Sequence, residues 1–145
     1  MPKSPKALKL RAEDAEDLAI IAAALQDAAV PVNDMRYFPD QRRFMLAVSR
    51  YRWEADPGDR AGGGERVSTA VIFDNVQRVR RRGFDPRDGE RILELLTVTA
   101  ADSRVDLVFS GDIAVRLEVG RLDCRMDDFG EPWPTIFRPE HKATR

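Results

Sequence analysis

RILELLTVTAADSRVDLVFSGDIAVRLEVGRLDCRMDDFGEPWPT, residues 91–135, is the stretch on which the fold turns. Ile92 to Thr99 is a nearly unbroken run of apolar and β-branched side chains. Val105, Leu107 and Phe109 then alternate with polar or smaller residues, and Ile113, Val115, Leu117 and Val119 alternate with Ala114, Arg116 and Glu118. A period of two marks a half-buried strand, because successive side chains leave the pleat on opposite sides. The breaks are turn chemistry: Ala101-Asp102-Ser103, then Ser110-Gly111-Asp112, where Gly and Asp suit the positive φ of a tight hairpin. Three successive antiparallel strands are therefore predicted. The apolar phase slips afterwards, from the odd series ending at Val119 to the even series Leu122, Cys124 and Met126, which predicts a β-bulge at Gly120. Asp128-Phe129-Gly130 is expected to turn the chain out of the sheet.

Upstream, Leu8-Lys9-Leu10 reads as a short first strand, and Asp14-Ala15-Glu16-Asp17 starts a helix. Asp14 is placed to cap free amides, and Glu16 and Asp17 sit where the helix dipole favours negative charge. Leu18, Ile21, Ala22, Leu25 and Ala29 share one helical face, and Pro31 is expected to end the helix. A hairpin follows: Val32 to Phe38 up, a turn at Pro39-Asp40-Gln41-Arg42, and Arg43 to Trp53 back. Phe44, Leu46 and Val48 share one face of the return strand; Met45, Ala47, Tyr51 and Trp53 share the other. The polar, glycine-rich stretch from Glu54 to Arg66 reads as a mobile loop, and Val67 to Val79 resumes strand character with a break at Asp74-Asn75.

At 145 residues the chain is expected to be a single domain, 1–145, with a flexible loop at about 55–66 and a short tail at about 137–145. No run approaches the roughly eighteen apolar residues of a membrane span, and the N-terminus lacks the apolar core of a secretory signal. Cys124 is the only cysteine, so no disulfide framework is possible, and a reducing cytoplasm is the expected setting. The net charge of −1 is unevenly spread: residues 36–91 carry 13 Arg against 9 acids, residues 92–131 carry 4 Arg against 9. The basic half points weakly to an anionic partner.

Arg78, Arg80, Arg81 and Arg82, with Arg87 and Arg91 following, could grip phosphates in bidentate fashion. The plainer reading is a solvated edge strand whose charges deter aggregation. Arg50-Tyr51-Arg52-Trp53-Glu54 has the composition of a single-strand nucleic-acid surface, stacking planes between cations, although the parity of Tyr51 and Trp53 fits packing instead. Asp123, Asp127, Asp128 and Glu131 are dense but do not follow the calcium-loop spacing, so no metal site is assigned. Cys124 lies on the inward series and reads as a small buried hydrophobe. His141 is the sole histidine, which leaves no histidine-based triad, and no phosphate-cradling glycine motif is present. No catalytic residue and no cofactor is assigned.

Leu8-Lys9-Leu10, Glu16-Asp17-Leu18, Leu25-Gln26-Asp27-Ala28, Asp34-Met35 and Arg43-Phe44 form a distinctive set with Arg50-Tyr51-Arg52-Trp53-Glu54. The tail Gly130-Glu131-Pro132-Trp133-Pro134-Thr135, with Pro139-Glu140-His141, completes it. As a set they resemble a small bacterial family catalogued as a domain of unknown function, over nearly the whole chain. The resemblance implies a bacterial cytosolic protein and contributes no activity or catalytic residue.

The expected fold is α+β: one N-terminal helix on a mainly antiparallel, strongly bent sheet or partly closed barrel of about seven to eight strands. Three functions are carried forward. The first is a non-catalytic binding or interaction module, self-association included, whose exposed surface near Tyr51, Trp53 and Trp133 meets a protein partner. The second is an anion or nucleic-acid binder through Arg78 to Arg82, with Arg50 and Arg52 as further cations. The third is a small enzyme working through carboxylates in a deep pocket. No membrane partner is expected.

Overall fold

The computed structural model describes residues 7–58 and 63–139. In chain order these form β1 (Lys9–Ala12), α1 (Ala15–Ala24), β2 (Ala28–Pro31), β3 (Met35–Phe38), β4 (Arg43–Tyr51) and β5 (Gly64–Phe73). There follow β6 (Val76–Arg82), β7 (Ile92–Ala101), β8 (Arg104–Phe109), β9 (Ile113–Val119) and β10 (Cys124–Thr135). All ten strands join one sheet in the order β1-β10-β5-β4-β2-β7-β8-β9-β6, with β3 on β4. Every pairing is antiparallel.

The predicted meander is β7-β8-β9. Ala101 pairs with Arg104 around a turn in which Asp102 takes φ 54°, and Phe109 pairs with Ile113 around Gly111 at φ 84° and Asp112 at φ 60°. Those positive angles are what Gly and Asp tolerate at a hairpin corner. The inner series Val105, Leu107, Phe109, Val115 and Leu117 is buried. It shares one core with Leu46, Val71, Phe73 and Met126 from the other half of the sheet. Strands so far apart in sheet order share a core only if the sheet bends strongly on itself. The Tyr37 hydroxyl donates to the Val76 carbonyl at 2.7 Å, and the Val76 amide donates to the Arg42 carbonyl at 2.8 Å, drawing β6 towards the β3–β4 turn. The outermost strands β1 and β6 do not pair, so the sheet is unclosed.

The helix begins as expected, with the Asp14 carboxylate accepting from the Asp17 amide at 2.8 Å. Leu18 and Ile21 are buried where α1 packs on β7 and β1. Its end corrects the prediction. The helix stops at Ala24, Asp27 takes φ 64°, and Ala28–Pro31 is a strand paired with Leu95 to Ile92. Alanines satisfy either period, and burial of Ala28 and Val30 on the sheet outweighs their helical propensity.

Five further expectations are corrected. Among the described residues the strand count is ten rather than seven or eight. The hairpin's return strand stops at Tyr51, and Trp53–Ala55 is a 3₁₀ turn. The loop is shorter than Glu54–Arg66, because Gly64 already pairs with Thr135; residues 59–62 of it lie outside the described residues, as does His141. At Gly120 the phase slips because the chain leaves β9 and crosses to β10, which pairs with β5 and β1 instead. The bulge lies further on. β10 continues through Asp128-Phe129-Gly130 to Thr135, and between Phe129 and Trp133 it advances four residues against two on β5 (Ser68 to Arg66), with Gly130 at φ 74°.

Candidate functional site

Arg50-Tyr51-Arg52-Trp53-Glu54 is consumed by its own fold. The Arg50 guanidinium is fully buried on the inner face of β4, where it meets Asp128 of β10 in bidentate fashion (Nε–Oδ1 2.9 Å, Nη2–Oδ2 2.7 Å). It also meets Glu54, which the 3₁₀ turn folds back beneath it, at 3.0 and 2.7 Å. Asp128 further accepts from the Thr69 hydroxyl at 2.7 Å and the Leu8 amide at 2.9 Å. The cluster thus ties β4, β5, β10 and the approach to β1. Burial works against the Arg50 charge, but the hydrogen bonds to Glu54 and Asp128 more than offset it and hold its pKa above the ordinary value. Burial likewise opposes the Asp128 charge, yet Arg50, the Leu8 amide and Thr69 keep its carboxyl below the usual range.

The rest of the motif closes just as tightly. Arg52 is buried against Glu65 and Glu54. Tyr51 is fully buried, stacks edge-on against Trp53 with ring centroids 4.7 Å apart, and donates to Asp56 at 2.6 Å. Asp56 in turn holds Arg138 at 2.8 Å. The Trp53 indole donates to the Gln26 carbonyl at 3.1 Å. Arg50, Arg52, Tyr51 and Trp53 were candidates for a binding surface; the structure sets Arg50, Tyr51 and Arg52 inside the fold and gives every cation a carboxylate of its own. Only Trp133, the fifth aromatic-surface candidate, presents much of its ring to solvent.

Arg78, Arg80, Arg81 and Arg82 all lie exposed on β6, the last strand of the sheet. Arg80 pairs with Glu118 at 2.9 Å and Arg82 with Asp112 at 3.3 Å, while Arg78 and Arg81 have no carboxylate partner among the described residues. The outer face beside them is a mosaic of charge: Arg116 holds Asp106 at 2.7 Å, and Arg104 lies near the same acid. An open depression of about 540 Å³ runs over it, with Arg80, Arg104, Arg116, Asp102 and Glu118 in its lining.

Two of the four acids weighed for a metal are separately engaged. Asp123 holds Arg11 at 3.1 Å, and Asp128 belongs to the Arg50 cluster. Cys124 is buried, and burial pushes its thiol up to about 12, far from a nucleophile's range.

A surface that the sequence reading did not single out lies on the other half of the sheet. Register places Phe129, Ser68, Ser49 and Ala29 in one outer row across β10, β5, β4 and β2. The next rows set Ala47 against Ala70, Met45 against Ile72, and Pro31 against Ile92. Two shallow depressions, of about 310 and 290 Å³, share Ala47 and Asp34 and are rimmed by Phe38, Ile92 and Phe129. Phe129 is 50% and Ile92 64% exposed, and Trp133 near the end of β10, with Ile136 and Phe137 just beyond it, is exposed as well. The parity of Met45 and Ala47 was the available signal. Ser68, Ala70 and Phe129 join them only through pairing partners remote in sequence.

The chain is thus an α+β protein of one strongly bent antiparallel sheet with a helix against it. It belongs to the family described as protein of unknown function (DUF2948), which it matches over residues 8–141. No curated protein and no solved structure matches it. No helix among the described residues is long and apolar enough to cross a membrane.

Proposed function

We propose that this protein is a non-catalytic binding module of the bacterial cytosol that docks a protein partner on the outer face of β10-β5-β4-β2. The observation that supports this is a contrast within one sheet. The outer face of β8-β9-β6 wears Arg104, Asp106, Arg116, Glu118 and Arg80, the long polar side chains that suit water. The outer face of β5 and β4 wears Ala70, Ser68, Ala47, Ser49, Met45 and Ile72, with Phe129 and Ile92 standing above the small floor and the Arg66 guanidinium closing one end of it by donating to Ser49 at 2.9 and 2.7 Å. A flat floor of small side chains lets another backbone approach closely, and aromatic or aliphatic rims exclude water around it. The carboxylate-enzyme reading has less support, since the acids gathered at Arg50 and Arg116 serve as guanidinium partners.

The test uses the full chain as bait in an extract of its host, alongside an Ala70→Arg variant and an Arg80→Ala/Arg82→Ala variant of unchanged melting temperature. A partner retained by the wild type and the arginine variant but lost with Ala70→Arg supports the reading. Equal retention by all three, or a partner lost only with the arginine variant, rejects it.

A further inference from the structure

We propose that β6 receives an acidic, extended segment of a partner protein, which adds to the sheet as a further strand beside Gln77–Arg82. This is independent of the apolar face, which lies on the other half of the sheet. The free edge is the first ground. β6 ends the sheet and pairs only with β9, so one side of its backbone has no strand partner among the described residues. The near end is stoppered, because the Val76 amide and carbonyl are taken by Arg42 and Tyr37. Beyond the irregularity between Val76 and Arg78, the register with β9 is unbroken from Arg78 opposite Glu118 to Arg82 opposite Ala114. Five residues in regular pleat are a template for an incoming strand.

Charge complementarity names the occupant. Register puts Arg78, Arg80 and Arg82 on the outer face, with Val79 and Arg81 opposite Leu117 and Val115 on the inner side. A second copy laid edge to edge would set arginine against arginine, which is how basic edges prevent self-pairing. The same charges select a strand with Asp or Glu at alternate positions and an aliphatic residue facing Val79. Arg78 and Arg81 are unpaired among the described residues, and the Arg80–Glu118 and Arg82–Asp112 pairs are solvent-exposed, so exchange for a partner's carboxylate costs little. A single-stranded nucleic acid is the weaker fit. It needs aromatic planes for its bases, whereas β6 carries none and Phe84 beyond it packs against the core.

The experiment is fluorescence anisotropy with the full chain and four labelled probes. These are an alternating Glu-Val heptapeptide, the same peptide N-methylated at alternate amides, a Lys-Val heptapeptide, and a single-stranded oligonucleotide of equal charge. The Glu-Val peptide is expected to bind at least tenfold more tightly than each of the others. An Arg80→Glu/Arg82→Glu variant should lose that binding by tenfold or more and gain affinity for the Lys-Val peptide. An Arg78→Ala/Arg81→Ala variant, which removes no described ion pair, should weaken it with the fold intact. Equal binding of the N-methylated peptide would reduce the effect to bulk electrostatics and overturn the proposal. Tighter binding of the oligonucleotide, or no binding of any probe, would overturn it too.

Discussion

Arg50 and Asp128 stand 78 positions apart in sequence and meet in the interior as a bidentate pair, Nε to Oδ1 at 2.9 Å and Nη2 to Oδ2 at 2.7 Å. A charge so placed has no water to fall back on, so each partner depends on the other. Arg50→Met would leave Asp128 without its cation and Glu54 with Arg52 alone at 3.7 Å, and Asp128→Leu would strip Arg50 of two of its bonds. Each single change is expected to cost about 3–5 kcal/mol, the range for breaking a buried pair. The double change should cost clearly less than the sum, because it removes both charges together. Equilibrium urea unfolding of the four proteins measures the coupling, and strictly additive losses would refute it.

The same cluster sets the acid limb of stability. Asp128 and Glu54 both have pKa values below the ordinary carboxylate range, in each case because hydrogen bonds from Arg50 and neighbouring groups outweigh burial. A folded value below the unfolded one, about 3.9 for Asp and 4.3 for Glu, adds stability that is fully present above the unfolded value. It is lost as pH falls through the folded one. Stability should therefore drop steeply below about pH 4, and Asp128→Asn should flatten that drop while lowering the plateau. Thermal melts across acidic pH check it; an unchanged slope in Asp128→Asn would mean that other carboxylates carry the acid limb.

The meander and the helix start were legible because their signals are local. Val105 to Val119 keeps one period, Asp102 and Gly111 mark the corners, and Asp14 caps the turn beside it. Ala28–Pro31 was not legible as a strand, since alanine suits either period and its partner Leu95 is far along the chain. Arg50 misled for a related reason. Arginine between aromatics looks like a surface until Asp128 and Thr69 are brought beneath it by β10 and β5. The apolar outer face is likewise a product of register, since Phe129, Ser68 and Ser49 become one row only when three strands pair.

Gly64 faces the Tyr51 ring so closely that an added Cβ would collide with the hydroxyl and the ring carbons beside it. The ring is pinned by Asp56 and Trp53 and has little room to give. Gly64→Ala should therefore destabilise by about 1–3 kcal/mol, the usual cost of overpacking. Gly58, with nothing within 4 Å of its Cβ position, provides the contrast: Gly58→Ala meets only the strain of its positive φ. Chemical denaturation of both variants decides the matter, and a neutral Gly64→Ala would show that the Tyr51 ring moves aside.

Leu46 and Ala47 are neighbours on β4 that belong to different worlds: Leu46 is 2% exposed within the core, whereas Ala47 floors the outer depressions beside Ala70. Leu46→Ala should cost about 2–5 kcal/mol, from lost burial and the cavity left among Val71 and its neighbours. Ala47→Lys should stay within about 0.5 kcal/mol of the wild type. Its small outer neighbours leave the long stem room to lie along the floor with the ammonium in water. If the outer face is a docking surface, that same lysine should nevertheless abolish partner capture, because it fills the floor with a hydrated charge. Stability unmoved and binding lost is the signature of a surface kept apolar for a partner. A large stability loss in Ala47→Lys would instead show that the floor is already packed by this chain's own residues.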